Sequence, residues 1–488
     1  MVEDINRYAL PLMSNHLETL REFRQAIYTS FPARRDSLLD LLDAFSSNDR
    51  ARSTVELSLN SCFRRQYSAL YKAIAAAYLE SDYPVCSLEA YQPGAALLNT
   101  LPPPTQLPYP VFGLDETPNE RLFARCLSDR QHIHRSTPVA AQRPVSEGHN
   151  YSVLAAFPEA GAEDWSRWAL PLSIERVSSL SNAVEVAHTQ IAQLLSYPQS
   201  TTWPLKVLTV DSRYPTPAFW YGLRNDADLV VIARVRRNRS FYRSPEPGRS
   251  PTRPRWYGPR FKLNDPTTWP PPTQQERITR THPDGSPVSL QLMRWTNLLM
   301  RGTRDYPMHR FPFDLLRCQR LDADAQPQGA PLWLLIWGQL RHQITPAQGQ
   351  QAYAQRFRLE HFFGFAKPHL LLTAFQTCST PHEINAVRLA SLAYGQLWLA
   401  RHLVDTLPLP WQRYTHTAST QPRTPRQVQR GFAPLIQQMG TRASPPKTRG
   451  IPPGRPKGTR LTPRSPCPLV KFHPPQKLCP CKDQQKLA

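Results

Sequence analysis

The chain has 488 residues, 40% of them hydrophobic, with 59 Lys and Arg against 37 Asp and Glu for a net charge of +22. That length suits about three domains of ordinary size and the apolar content excludes a wholly disordered chain, while the basic excess calls for a polyanionic partner, either nucleic acid or an anionic membrane surface. The best apolar run, PLWLLIWGQL at 331–340, falls short of the roughly 18 residues that span a bilayer, and MVEDINRYALPLM lacks the apolar region of a signal peptide.

Residues 1–97 read as a helical unit. HLETLREFRQAIYTSF, SLLDLLDAF and NSCFRRQYSALYKAIAAAYLE place apolar residues at three-and-four spacing, and the third stretch carries Arg64, Arg65 and Lys72. A helix-turn-helix reader of DNA and a plain helical bundle both fit. The proline-rich segment 98–110 reads as a linker. From 111 to 237 strands alternate with helices: YPVFGLD ending in Asp115, NYSVLAAFPE, WALPLSIERV, the amphipathic NAVEVAHTQIAQLLSY, PLKVLTVD ending in Asp211, PAFWYGLRN and LVVIARVRR. Such alternation predicts an α/β core with a mixed sheet.

Residues 238–338 predict a β-rich insertion with exposed loops of Pro, Arg and aromatic residues, which either stack on bases and hold phosphates or are merely solvated. Helices return over 339–407, ending with INAVRLASLAYGQLWLARHLV. The segment 408–488 predicts a disordered basic tail: from Gln412 onward there are fifteen Lys or Arg against one acid, Asp483. Within it KTRGIPPGRPKGTR at 447–460 resembles an AT-hook, which would set Arg455 and Lys457 in the minor groove of A·T-rich DNA. The eight cysteines are expected to be free thiols. Cys467, His473, Cys479 and Cys481 suggest zinc, but the CPC spacing is too short for a zinc knuckle.

The stretch YAQRFRLEHFFGFAK at 353–367 sets Tyr353, Arg356, Glu360 and Lys367 at offsets 0, 3, 7 and 14. On one helix these fall at roughly 0°, 300°, 340° and 320°, a stripe about 21 Å long. A solvated face with an i, i+4 ion pair explains that much. The surrounding Phe357, Leu359, Phe362, Phe363 and Phe365 instead predict a sandwiched helix whose glutamate needs a cation and whose basic groups need an elongated anion. Asp115 and Asp211 close two apolar strands, where an α/β sheet presents residues to ligands. Together with Glu360 they would repel one another without divalent cations, and a pair of Mg²⁺ ions about 4 Å apart suits phosphodiester cleavage and joining.

The order Asp115, Asp211, Glu360, with Y-(2)-R-(3)-E-(6)-K around the glutamate, resembles the bacterial insertion-sequence transposases of the DDE type. YPVFGLDETPNERLFARCLSDRQ, GHNYSVLA and VDSRYPTPAFW look like the same family, so the resemblance spans about 105–405. It implies an RNase H-like catalytic fold, cut-and-paste DNA transposition, and two Mg²⁺ ions, replaceable by Mn²⁺, on Asp115, Asp211 and Glu360. It further implies that Tyr353, Arg356 and Lys367 grip the DNA backbone and that a homodimer forms the synaptic complex on transposon ends and target DNA. An insertion tryptophan (Trp256, Trp269, Trp295 or Trp337) would hold a flipped base. The expected location is cytoplasmic and nucleoid-associated, without membrane contact. The competing reading is an inactive DNA-binding remnant of such an enzyme.

Overall fold

The computed structural model describes residues 2–77, 93–135, 144–159, 167–245, 256–281, 287–404, 423–448, 454, 456–460 and 462–470. Helices α1 (Val2–Ser30), α2 (Arg35–Ser46), α3 (Tyr67–Ala75) and α4 (Pro93–Leu98) come first. Strands β1 (Val111–Glu120), β2 (Gln131–His134), β3 (Val145–Phe157) and β4 (Leu170–Val177) follow, and then α5 (Ala183–Ser196), α6 (Pro198–Thr201), β5 (Lys206–Val210), α7 (Pro217–Gly222) and β6 (Leu229–Val235). Next are β7 (Ser240–Tyr242), β8 (Arg260–Lys262), β9 (Gln274–Thr281), β10 (Pro287–Leu298), β11 (Phe313–Leu321) and β12 (Pro327–Trp337). Helices α8 (Pro346–Ala354), α9 (Arg358–His369), α10 (Thr380–Ala400) and α11 (Pro425–Met439) complete the order.

Apolar runs such as Lys206–Val210 and Leu229–Val235 are buried along nearly their whole length, as central strands covered on both faces must be. They lie in one mixed sheet of order β2-β3-β1-β5-β6-β12-β11-β10-β9, with β4 also paired to β3. β1, β5 and β6 run parallel, while β12 returns antiparallel to β6 with Trp333 opposite Val235. The residues expected to form an insertion thus extend the central sheet through β12, β11, β10 and β9. Only β7 and β8 make a separate ribbon among the described residues.

Two expectations are corrected. The N-terminal helices do not stand apart: α1, α2 and α3 pack on α10, near the other end of the chain. Arg24, only 5% exposed, pairs with Asp43 and donates to Gln396 Oε1 at 2.5 Å, tying α1 and α2 to α10. Arg64 and Arg65 both pair with buried Asp40, at 2.7 and 3.1 Å, so neither charge projects from a reading helix. The tail is not wholly disordered either. Thr424 and Gln427 form a capping box that opens α11, and Val428 and Phe432 sit fully buried against the core. Farther on, the amides of Cys467 and Val470 donate to the carbonyls of Arg125 and Arg130, both at 2.8 Å, docking the segment beside β2. Composition averaged over a basic, proline-rich stretch hid four apolar residues at helical spacing: Val428, Phe432, Leu435 and Ile436. Among the described residues no helix is long and apolar enough to cross a membrane.

A candidate active site where two parallel strands part

In the parallel pair β1–β5, Leu114 lies opposite Val210. The next position on each is an aspartate, Asp115 still within β1 and Asp211 just beyond β5, so the two carboxylates leave adjacent strands about 4.8 Å apart in the backbone. The face that Asp115 uses is fixed by its neighbours. A Cβ on Gly113, two residues earlier and so on the same face, would come within 2.2 Å of Phe157 Cζ and 3.0 Å of Leu359 Cδ1. Glycine leaves room there for the Phe157 ring, while Leu359 of α9 packs over the same face. Glu116 takes the opposite face, opposite Ser152, whose hydroxyl donates to Gln190 of α5 at 2.6 Å. There Asn150 and Arg213 hold the Glu116 carboxylate, at 3.0 and 3.6 Å. Asp115, rather than its neighbour, therefore faces the helix that carries Glu360.

The predicted single helix over 353–367 is three pieces, with a 3-10 turn at Gln355–Phe357 between α8 and α9. Three residues at the tighter 120° step add roughly 60° of rotation between Tyr353 and Glu360. The stripe is split accordingly. Tyr353 is 8% exposed, Arg356 turns inward, Glu360 is exposed, and Lys367 is half-buried over the Phe363 ring at 5.8 Å. Lys367 feels Glu120, five residues beyond Asp115 on β1, or roughly 16 Å along the strand. Its burial lowers the ammonium pKa, against the pull of Glu120.

Arg356 Nη1 donates to Asp115 Oδ2 at 2.6 Å, and the Glu116 amide donates to Asp115 Oδ1 at 2.9 Å. Burial raises the pKa of Asp115; Arg356 opposes the shift and neighbouring Asp211 adds to it. Burial works against the charge of Arg356, but Asp115, Tyr353 and Asp211 outweigh it and raise its pKa. Burial also raises the pKa of the Tyr353 hydroxyl, which shares a hydrogen bond with Arg356. The structure thus brings together Asp115, Asp211, Tyr353 and Arg356. It does not bring in Glu360: among the described residues no three His, Cys, Asp or Glu side chains form a group able to hold a metal ion. The two aspartates fit a hard divalent ion: both are oxygen donors on neighbouring strands, and the cation now on Asp115 is the side chain of Arg356. Of the tail residues, Lys457 is exposed on a turn closed by Thr459 N to Pro456 O at 3.1 Å, with Gly458 at φ +90°, and Arg455 lies outside the described residues. His473, Cys479 and Cys481 lie outside them as well.

Sequence reasoning missed a buried cluster beside this site. Glu383 of α10, fully buried, accepts from Arg121 Nε at 2.6 Å, Tyr151 OH at 2.7 Å and His149 Nδ1 at 2.8 Å. Glu383 lies in the first turn of its helix beside His382, where an acid is ordinary, so nothing in the sequence signalled its burial. His149, whose Nε2 reaches the Ser128 carbonyl at 3.0 Å, is a structural residue. Of the four candidate tryptophans, Trp269 and Trp295 pack into an aromatic cluster with Phe261 and Trp333, and Trp337 packs on Trp220. Trp256 is 52% exposed, its ring centroid 4.1 Å from that of His309.

The sequence matches the family described as "DDE superfamily endonuclease" over residues 26–290, more than half of the chain. The chain belongs to the DDE superfamily of endonucleases. The matched segment contains β1 and β5 with Asp115 and Asp211 and stops short of Glu360. No curated protein matches the sequence. Among solved structures, the fold is loosely similar to a cryo-EM structure of a piggyBac transposase synaptic complex with hairpin DNA. That similarity has a TM-score of 0.37 and 10% identity, covering 83% of this chain and 72% of the other.

Proposed function

We propose that this DDE endonuclease is a transposase that moves an insertion sequence by cutting the element's ends and joining them to target DNA, on an RNase H-like core. The observation that carries the reading is the placing of Asp115 and Asp211 side by side where the parallel pairing of β1 and β5 stops, inside the family-matched segment, with Arg356 turned onto Asp115 from the 3-10 turn between α8 and α9. Asp115 and Asp211 would hold divalent metal, with Glu360 as the third ligand once α9 turns its exposed carboxylate inward. Bound Mg²⁺ supplies activation of the attacking hydroxyl and stabilisation of the leaving oxygen. Arg356, a planar fork, would bind a backbone phosphate in two-point fashion, with Tyr353 setting its orientation, while Lys367 contacts the duplex farther along as a point charge. Trp256 is the insertion aromatic free to stack on an unpaired base. Arg455 and Lys457 would add minor-groove contacts, and two protomers would pair the element's ends.

The test is strand cleavage and transfer on a labelled fragment bearing the element's own end, with Mg²⁺ or EDTA, comparing wild type with Asp115→Asn and Glu360→Gln. Mg²⁺-dependent cutting by wild type alone, with DNA binding retained by both variants, supports the reading. Cutting by Glu360→Gln at the wild-type rate removes Glu360 from the site. DNA binding without cutting by wild type identifies a DNA-binding remnant, a reading favoured by the exposed position of Glu360.

A further inference from the structure

We infer that Arg356 is a place-holding cation on Asp115, so that the aspartate pair takes up a divalent ion strongly only after a DNA phosphate has drawn Arg356 away. This rests on the reading of the pair as a metal site. Both oxygens of Asp115 already have partners: Oδ1 takes the Glu116 amide and Oδ2 takes Arg356. The amide belongs to the backbone of β1, held by its pairing to β3 with Glu116 opposite Ser152. Arg356 can yield, because its side chain reaches in from a single 3-10 turn between two helices. At 13% and 23% side-chain exposure the Arg356–Asp115 pair is shielded enough for the bond to hold, yet open at its rim to an incoming anion.

A phosphodiester is the anion whose chemistry fits. It offers two oxygens to the guanidinium fork in place of the one that Asp115 gives, and transfer to it frees Oδ2 for metal. Metal and DNA then bind with reciprocal coupling, each tightening the other. A lone phosphate shares the charge, but it brings none of the other contacts that hold a backbone in place along the helix. The consequence is order: DNA first and metal second, so the free protein holds its metal site closed.

The experiment measures Mn²⁺ binding to the full chain from the loss of the free-ion signal in electron paramagnetic resonance. It is run with and without a short DNA duplex, and the uptake of Asp115→Asn is subtracted to remove ions held by the DNA itself. For wild type the Asp115-dependent affinity should rise about fivefold or more when DNA is added. Arg356→Gln should show the tightened affinity without DNA and gain little from it. Arg356→Lys, which keeps the charge without the fork, should hold the DNA-free affinity as low as wild type and gain less than wild type from DNA, which a general loss of structure would not produce. A wild-type affinity indifferent to DNA, or an Arg356→Gln affinity no tighter than wild type, overturns the inference while leaving the metal site standing. If no protein shows Asp115-dependent uptake under any condition, the metal reading itself fails, and the place-holding role falls with it.

Discussion

Substituting Glu383 by Gln should destabilise the protein by about 3 kcal/mol at neutral pH, the lower end of what breaking a buried ion pair costs. The lower end applies because Arg121, 2% exposed, keeps three carbonyl acceptors, those of Glu120, Thr373 and Phe375, each at 3.0 Å. The pH dependence gives an independent figure. Burial alone would raise the Glu383 pKa, but the His149 hydrogen bond, Arg121 and Tyr151 outweigh it and hold the carboxyl at about 2, against an ordinary 4.5. A depressed carboxyl stabilises the fold fully above its unfolded pKa and loses that stabilisation as pH falls toward the folded one. Two and a half units correspond to about 3 kcal/mol, in agreement with the first route. Urea unfolding of wild type and Glu383→Gln from pH 7 to pH 3 is the assay. The stability gap should hold above pH 4.5 and shrink by roughly half at pH 3. A gap below about 1 kcal/mol at pH 7, or one constant down to pH 3, would refute the account.

Three further outcomes are expected. Phe432→Ala in α11 should cost about 3–5 kcal/mol in thermal or urea unfolding, and truncation at 412 should unfold the protein, whereas truncation after 446 should keep the fold and flatten the salt dependence of DNA binding. Gly113→Val should lower the melting temperature by overpacking worth about 1–3 kcal/mol and reduce cleavage, since the added atoms displace the Phe157 ring and press on Leu359 of α9 beside Asp115; full stability and activity in this variant would contradict the close packing at Gly113. Iodoacetamide should modify exposed Cys378 in the native protein and spare Cys318, whose thiol burial pushes up to about 12, until the chain is unfolded, as read by peptide mass spectrometry.

What could be read in the sequence was what short-range periodicity encodes. Leu229–Val235, Ala183–Ser196 and Thr380–Ala400 form the predicted elements because each carries its own apolar pattern. Asp211 lies just past an apolar strand, as its run of residues suggests, whereas β1 continues beyond Asp115 to Glu120 and only its pairing with β5 stops there. Pairing was not legible. Nothing local to β12 says that it returns beside β6, and nothing near Arg64 names Asp40 as its partner. The Arg356–Asp115 bond joins residues 241 positions apart and is invisible to any window. The 3-10 turn that splits the 353–367 stripe carries no Gly or Pro to announce it, so an ideal helix was drawn where the chain tightens. The capping box of α11, by contrast, stood in the sequence as T-P-R-Q, overshadowed by the composition around it.

The bond between Arg24 and Gln396 spans 372 residues, and it makes α1 and α2 depend on α10. At about 5–20 residues per second, a ribosome needs roughly 20–75 s after making α1 to deliver α10. Through that interval Arg24 and α2 wait without the surface that buries them. A chain that stops upstream of α10 lacks the surface on which α1, α2 and α3 pack and the Gln396 oxygen that receives Arg24.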